Sequence, residues 1–422
     1  MEPSRHGPPL PDRPGLTWLS GVRLPERGAC GQPERKDRGV EGGAHPEAPE
    51  QLWRVAIDGQ GHIAALHPIA PGSRAAGLDW QGDWLSPAGV DLQINGGLGL
   101  AFPELTTADL PRLEELLELL WRDGVEAICP TLVTCGVAPL RQALAVLEQA
   151  RQQHRPGRCQ LLGAHLEGPF LNPSRRGAHP EQHLAAPSLE ALAERIAGFE
   201  DQIDLVTLAP ELEGAEAVIA ALRQRGIVVS LGHSAAGEKD ASVAFEAGVA
   251  MLTHSFNAMA GLHHRAPGPV AAAVLRGDIA LGLIADGVHV QPSMALLLQR
   301  LAPEQVVLVS DALAPYGLGE GRHRWDERVL LVEDGSCRLE DGTLAGVTLP
   351  LLEGVRRLAS WGVPAEQAIA AATLTPRRVL GDRRSATELL VGRPLGDTLR
   401  WSASTDGLSW RRSGRPAADR CG

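Results

Sequence analysis

Lysine is almost missing from this sequence. Of its 40 basic residues only Lys36 and Lys239 are lysine, and the rest are arginine. A Schiff-base, P-loop or metal-bridging lysine would have to be one of these two. Tyrosine occurs once, at Tyr316, and the six cysteines (Cys30, Cys129, Cys135, Cys159, Cys337 and Cys421) form no C-x-x-C pair. A chain of 422 residues needs no disulfide staples to close a core. Cys129 and Cys135, which flank an apolar run, read as buried free thiols, and a reducing cytoplasm fits. No apolar stretch approaches the ~18 residues of a membrane span. The opening MEPSRHGPPLPDRPG lacks an apolar h-region, so it does not read as a secretory signal. There is no basic run either. With a net charge of −11, that argues against a nucleic-acid partner.

What remains is a patterned chain. Residues 1–15 read as a disordered lead-in and 27–49 as a polar loop. Three strands are expected at 16–24, 52–58 and 62–68, the last two joined by a Gly-Gln-Gly turn. From about residue 84 short apolar runs alternate with amphipathic stretches such as DLPRLEELLELLWRDG, whose leucines recur at helical spacing. The runs lie at 89–96, 126–134, 160–168, 204–211, 227–234, 250–258, 279–290 and 305–314. Eight such strands, most followed by a helix, predict an α/β fold: a (β/α)8 TIM-like barrel. The expected organisation is a small β domain begun by 16–85, a metal-dependent hydrolase barrel over 86–385, and the small domain's abbreviated C-terminal part over 386–422.

Ionisable residues inside buried parallel strands are costly unless they work. Here they fall at one end of nearly every run: Asp91, Gln93 and Asn95, then Glu167, Glu211, His233, His254 with Asn257, Asp286 with His289, and Asp311. Barrel enzymes place their chemistry at that rim. Glu167, His233 and His254 would supply a His2Glu ligand set that suits zinc, with iron or another divalent ion left open. Asp311 is the candidate proton shuttle. His165 has two open roles, core packing or support of the site.

PAGVDLQINGG, HLEGPFLNPSRRGAHP, VSLGHS, LTHSFNAM, LIADGVHV, LVSDALAP and GTLAGVTLPLLEGVRRL resemble, in order, the motifs of the N-acetylglucosamine-6-phosphate deacetylase family of the amidohydrolase superfamily. The resemblance runs from about residue 86 to 381. It implies deacetylation of N-acetylglucosamine 6-phosphate by one divalent metal ion per subunit, held by Glu167, His233 and His254, with Asp311 as catalytic acid/base. It also implies that His179 polarises the acetamide carbonyl, with Ala178 beside it in the substrate loop. Asn257, Ala258 and His289 would contact the phosphosugar, and Leu344, Ala345, Gly346 and Val347 would cover it. Arg265 would reach the phosphate in the neighbouring subunit of a homodimer.

Two departures stand out: the C-terminal part, where GRPLGDTLRW stands, is short, and the first strand lacks a pair of histidines. Gln93 and Asn95 replace the H-x-H of many amidohydrolases, and amides are poor ligands for a second ion. No lysine ends a strand to bridge a metal pair. The competing expectations are another mononuclear amidohydrolase acting on a cyclic amide or nucleobase, and a non-catalytic barrel that binds a phosphosugar.

Overall fold

A computed structural model describes residues 15–26, 51–73, 75–326 and 328–414 of the chain. The expected lead-in, apart from Gly15, and the polar loop at 27–49 lie outside the described residues. The chain divides into two compact units. Among the described residues, the smaller draws on 15–26, 51–73, 75–88, 365–370 and 384–414, the larger on 89–326, 328–364 and 371–383.

The smaller unit is built from two sheets. In the first, Ile63–Pro68, Trp53–Ile57, Thr17–Val22 and Leu78–Asp79 lie side by side, and the expected hairpin pairs Trp53 with Pro68. In the second, the tail strands Gly407–Arg412 and Leu399–Ser404 are joined by Trp84–Ser86. The tail thus adds to a short strand just before the barrel, not to the three longer ones. Trp401 is fully buried there, and its indole N–H donates to the Ser86 hydroxyl at 2.9 Å. Asp83 receives both Arg400 Nε (2.6 Å) and the Ser402 hydroxyl (2.7 Å), so the second sheet is polar-stitched as well as apolar-packed.

The larger unit is the expected barrel. Its parallel strands run Gly89–Ile94, Val125–Val133, Ala164–Glu167, Ile203–Leu208, Val228–Leu231, Met251–Leu252, Ala280–Leu283 and Val306–Leu308, each paired with the next. Closure is made past the strand ends: the Asp311 N–H donates to the Gln93 carbonyl (2.8 Å) and the Asn95 N–H to that of Ala312 (2.7 Å). Helices follow the strands in turn. Leu110–Arg122, for instance, admits Pro111 in its first turn, where no N–H is needed, and buries Leu113, Leu116, Leu117 and Leu120. The strand Gly89–Ile94 is buried at every position, as a sheet covered on both faces requires.

One element was not anticipated. Between the eighth strand and the helix Leu351–Ser360, an antiparallel sheet of Gly321–Trp325, Arg328–Glu333, Ser336–Leu339 and Leu344–Val347 is inserted. Trp325, Leu330, Val332 and Cys337 pack in one cluster with Ala178 and Leu313. Cys129, Cys135, Cys159 and Cys337 are free thiols, and among the described residues no helix is long and apolar enough to cross a membrane. Replacing Trp401 with alanine removes a fully buried indole and the N–H that the Ser86 hydroxyl accepts. The expected loss is about 3–5 kcal/mol of stability in the smaller unit, read by denaturant unfolding.

Candidate active site

The sequence places the chemical groups at strand ends, but only Glu167 is within its strand. His233, His254 and Asp311 each sit two or three residues past the last paired residue, at positive φ of +49°, +29° and +51°. Such conformations cost about 1–3 kcal/mol each for non-glycine residues and persist where the surroundings impose them. Here they end the sheet ladder and turn the three side chains inward. Gly346 reinforces the last of them: a Cβ there would stand 2.6 Å from the Asp311 carbonyl, so only glycine lets the inserted sheet close on it.

Three groups converge. Glu167 Oε1 lies 3.2 Å from His233 Nε2 and 3.1 Å from His254 Nε2, and the two ring nitrogens are 3.1 Å apart. His233 Nδ1 is 2.9 Å from the Arg175 carbonyl, which can only accept, so the proton sits on Nδ1 and Nε2 presents a lone pair. A carboxylate oxygen and an imidazole lone pair therefore face one point within about a ligand's length of each other. This donor set fits a divalent cation, in the His2Glu combination of hydrolytic metal sites. Burial would raise the Glu167 carboxyl, but the imidazoles of His233 and His254 beside it outweigh that effect and hold it well below the usual carboxylate range.

Asp311 is buried beside them. Burial and the nearby Glu167 charge push its carboxyl well above the usual range, so it can hold a proton near neutral pH. Its Oδ1 accepts from Asn95 Nδ2 (2.7 Å) and Gln93 Nε2 (3.2 Å), and Gln93 Nε2 also reaches Glu167 Oε1 at 3.2 Å. The two amides, Gln93 and Asn95, thus brace the carboxylates. Their role was not legible because Asp311 follows them by more than two hundred residues.

His179 approaches from the loop after the third strand, with Nε2 3.9 Å from Glu167 Oε1. Burial, then the neighbouring His233, depresses its pKa to about 3, which keeps the ring neutral. It is held by Thr134, whose hydroxyl lies 3.0 Å from Nδ1 and donates to the Glu167 carbonyl at 2.9 Å. His289 donates from Nδ1 to Asp286 Oδ2 at 2.7 Å. Burial opposes ionisation of Asp286, but the hydrogen bond from His289 and that ring's charge prevail, and its pKa is lowered. His165 is buried one layer below, between the hydroxyls of Thr131 (3.3 Å) and Thr207 (2.7 Å), and burial depresses its pKa to about 4.

These groups open into a cavity of about 330 Å3. Its walls include Glu167, Ala178, His179, His233, His254, Asn257, Ala258, His289, Asp311, Leu344 and Ala345. Gly346 and Val347 are behind the wall, where Val347 exchanges backbone hydrogen bonds with Asp311 and Leu313 (3.2 and 3.0 Å). Arg265 is exposed and does not line the cavity. Sequence reasoning missed Trp325, which brings an indole from the inserted sheet to the cavity wall. Arg328 stacks on that indole at 4.3 Å and donates to the Ala178 carbonyl at 2.5 Å, joining the sheet to the loop of His179.

Residues 84–393 match the model of the amidohydrolase family. The chain is 39% identical over 323 residues to N-acetylglucosamine-6-phosphate deacetylase of Bos taurus, covering 73% of this chain and 78% of the relative. It is 37% identical over 323 residues to N-acetylgalactosamine-6-phosphate deacetylase of Escherichia coli O157:H7, covering 76% and 83%. The solved structure of N-acetyl-D-glucosamine-6-phosphate deacetylase from Mycobacterium smegmatis, with its phosphosugar bound, aligns with a TM-score of 0.75 at 26% identity over 95% of this chain and 98% of that one. The enzyme from Thermotoga maritima aligns with a TM-score of 0.72 at 29% identity, covering 86% and 94%.

If the three converging groups are the metal ligands, Glu167→Ala should lower affinity for Zn2+ or Co2+ by more than the ~10–100-fold typical of outer partners. Equilibrium dialysis reads this, and unchanged binding would remove the assignment. The chain belongs to the amidohydrolase family and, within it, to the N-acetylglucosamine-6-phosphate deacetylases.

Proposed function

We propose that the chain hydrolyses the acetamide of N-acetyl-D-glucosamine 6-phosphate to D-glucosamine 6-phosphate and acetate, in amino-sugar catabolism or recycling in the cytoplasm. The observation that carries this reading is one cavity wall bearing the Glu167–His233–His254 triangle, the buried Asp311 and the neutral His179 together. The named activities of the relatives support the sugar phosphate as substrate.

Glu167, His233 and His254 would hold one divalent ion per subunit, zinc by the borderline-soft donor set and iron as the runner-up. Such an ion supplies Lewis-acid chemistry, polarising a carbonyl and acidifying water. Asp311, with Oδ1 engaged by two amides, takes the proton from the attacking water and returns it to the leaving amine. His179 orients and polarises the acetamide carbonyl. Asn257, Ala258 and His289 bind the sugar, and Leu344 and Ala345 cover it while Gly346 and Val347 support them from behind. In a homodimer the exposed Arg265 of one subunit would reach the phosphate bound by the other, where a planar fork suits the anion. A non-catalytic barrel would have no use for a proton-holding carboxyl beside a metal triad. A cyclic-amide or nucleobase substrate finds no support among the relatives named above.

Asp311→Asn should lower acetate release from N-acetylglucosamine 6-phosphate by about 10²–10⁴-fold while metal content stays at the unaltered level. Full activity would end the acid/base assignment. The 4-epimer, N-acetylgalactosamine 6-phosphate, is the natural comparison substrate, given the Escherichia coli relative. Arg265→Ala should raise KM for the phosphorylated sugar tenfold or more, the ~1.5–3 kcal/mol of one charge-assisted hydrogen bond, and leave the unphosphorylated sugar unaffected. Equal effects on the two sugars would remove its phosphate role.

A further inference from the structure

Glu211, at the end of the fourth barrel strand, has no part in the chemistry above and does not line the cavity. Its carboxylate nonetheless ties together two loops that hold His233 from opposite sides. Oε1 accepts from Asn172 Nδ2 (2.9 Å) and from the Ala235 N–H (2.6 Å), and Oε2 accepts from the Ser234 hydroxyl (2.6 Å). Ser234 and Ala235 directly follow His233. Asn172 opens the segment that ends in Arg175, whose carbonyl receives the His233 Nδ1 proton at 2.9 Å. The Asn172 N–H adds a direct bond to the His233 carbonyl at 2.9 Å. Within the 172–175 segment, the Asn172 side-chain oxygen accepts from the Ser174 N–H (3.0 Å) and hydroxyl (2.7 Å), which tightens the turn that presents the Arg175 carbonyl.

We infer that Glu211 is a positioning residue for His233: by clamping both loops it fixes the ring's proton on Nδ1 and aims the Nε2 lone pair at the point it shares with Glu167 Oε1 and His254 Nε2. The geometry requires such a clamp. His233 has a positive φ, a conformation the backbone leaves unless held, and its tautomer depends on a carbonyl from another loop. A ring free to rotate, or to move its proton to Nε2, would offer the metal a hydrogen instead of a lone pair. The role depends on hydrogen bonds more than on charge. A glutamine can accept from Asn172 and Ala235 with its oxygen and donate to Ser234 with its amide, because a hydroxyl can turn to accept.

The inference rests on Glu167, His233 and His254 being metal ligands, and the test separates the two. Zn2+ affinity of the full-length protein is measured by chelator competition, alongside the melting temperature of the metal-free form. Unaltered protein that binds no Zn2+ would overturn the ligand assignment and this inference with it. With binding established, Glu211→Ala should weaken Zn2+ about 10–100-fold, whereas Glu211→Gln should stay within about threefold of the unaltered protein. If Glu211→Ala lowers only the melting temperature and leaves Zn2+ affinity intact, the residue is structural and the inference fails. Equal losses in the alanine and glutamine variants would also overturn it, since charge and not the clamp would then matter. Should Glu211→Ala not fold, Ser234→Ala removes a single arm of the clamp. It should weaken Zn2+ by about threefold to tenfold, and no change would overturn the inference.

Discussion

An ionised carboxylate buried inside a barrel costs several kcal/mol unless opposite charge and hydrogen bonds compensate it. Glu167 is such a group: it is almost fully buried, it is held ionised, and two imidazoles and one amide lie within 3.2 Å of the same oxygen. Much of the site follows from that single charge. It makes the point between the histidines attractive to a cation. Together with burial, the larger cause, it raises the proton affinity of Asp311, so that one carboxyl stays ionised while its neighbour can carry a proton. Two carboxylates in one pocket thus take separate roles through their surroundings, not through their chemistry. Gln93 makes the division explicit, with one amide nitrogen between the two groups.

Holding three polar side chains around that charge requires backbone that a regular strand cannot supply. A strand sends alternate residues to opposite faces and keeps its N–H and C=O groups in the ladder. His233, His254 and Asp311 leave the ladder at left-handed φ, and the strain is met by bonds from other parts of the chain: the Arg175 carbonyl for His233, and the Gln93 carbonyl of the first strand for the Asp311 N–H. The last of these also closes the barrel. Closure between the first and eighth strands and placement of Asp311 are the same hydrogen-bonded contact, so the fold cannot shut without setting the carboxyl proposed to carry the proton.

How much could be read beforehand varied with the physics behind each element. The barrel strands were legible because burial on both faces leaves unbroken apolar runs, and their polar ends were conspicuous against that background. The inserted sheet was not. GRHRW carries no apolar alternation, and only scattered residues of the four strands, such as Leu330 and Val332, are buried. Its contribution to the cavity, Trp325, therefore had no pattern to announce it. Gln93 and Asn95 were visible only as absences, since an amide's function depends on which distant acceptor it meets. Thr134 and Glu211 were hidden for the same reason: their effect is exerted through a histidine that another strand provides. Ligand types are written locally, whereas the groups that aim them are set by the fold.

The scarcity of lysine acquires a physical sense from this arrangement. The one lysine in the described residues, Lys239, is exposed on the helix Glu238–Ala247 and does not line the cavity, so among the described residues no ammonium competes for Glu167 or Asp311. A lysine there would pair with a buried carboxylate directly and fill the place the geometry leaves for a divalent ion. In its stead stand two amides, neutral donors that steady the carboxylates without cancelling their charge. Glu167 is thus steadied by its neighbours and still carries its negative charge at the point where a cation would be held. An anionic substrate must then be met by donors at the cavity's other walls, where Asn257, Ala258 and His289 lie. In the proposed arrangement the charged pole and the wall formed by Asn257, Ala258 and His289 are separate, which would let a chain with a net charge of −11 receive a phosphosugar without surrendering the metal site to it.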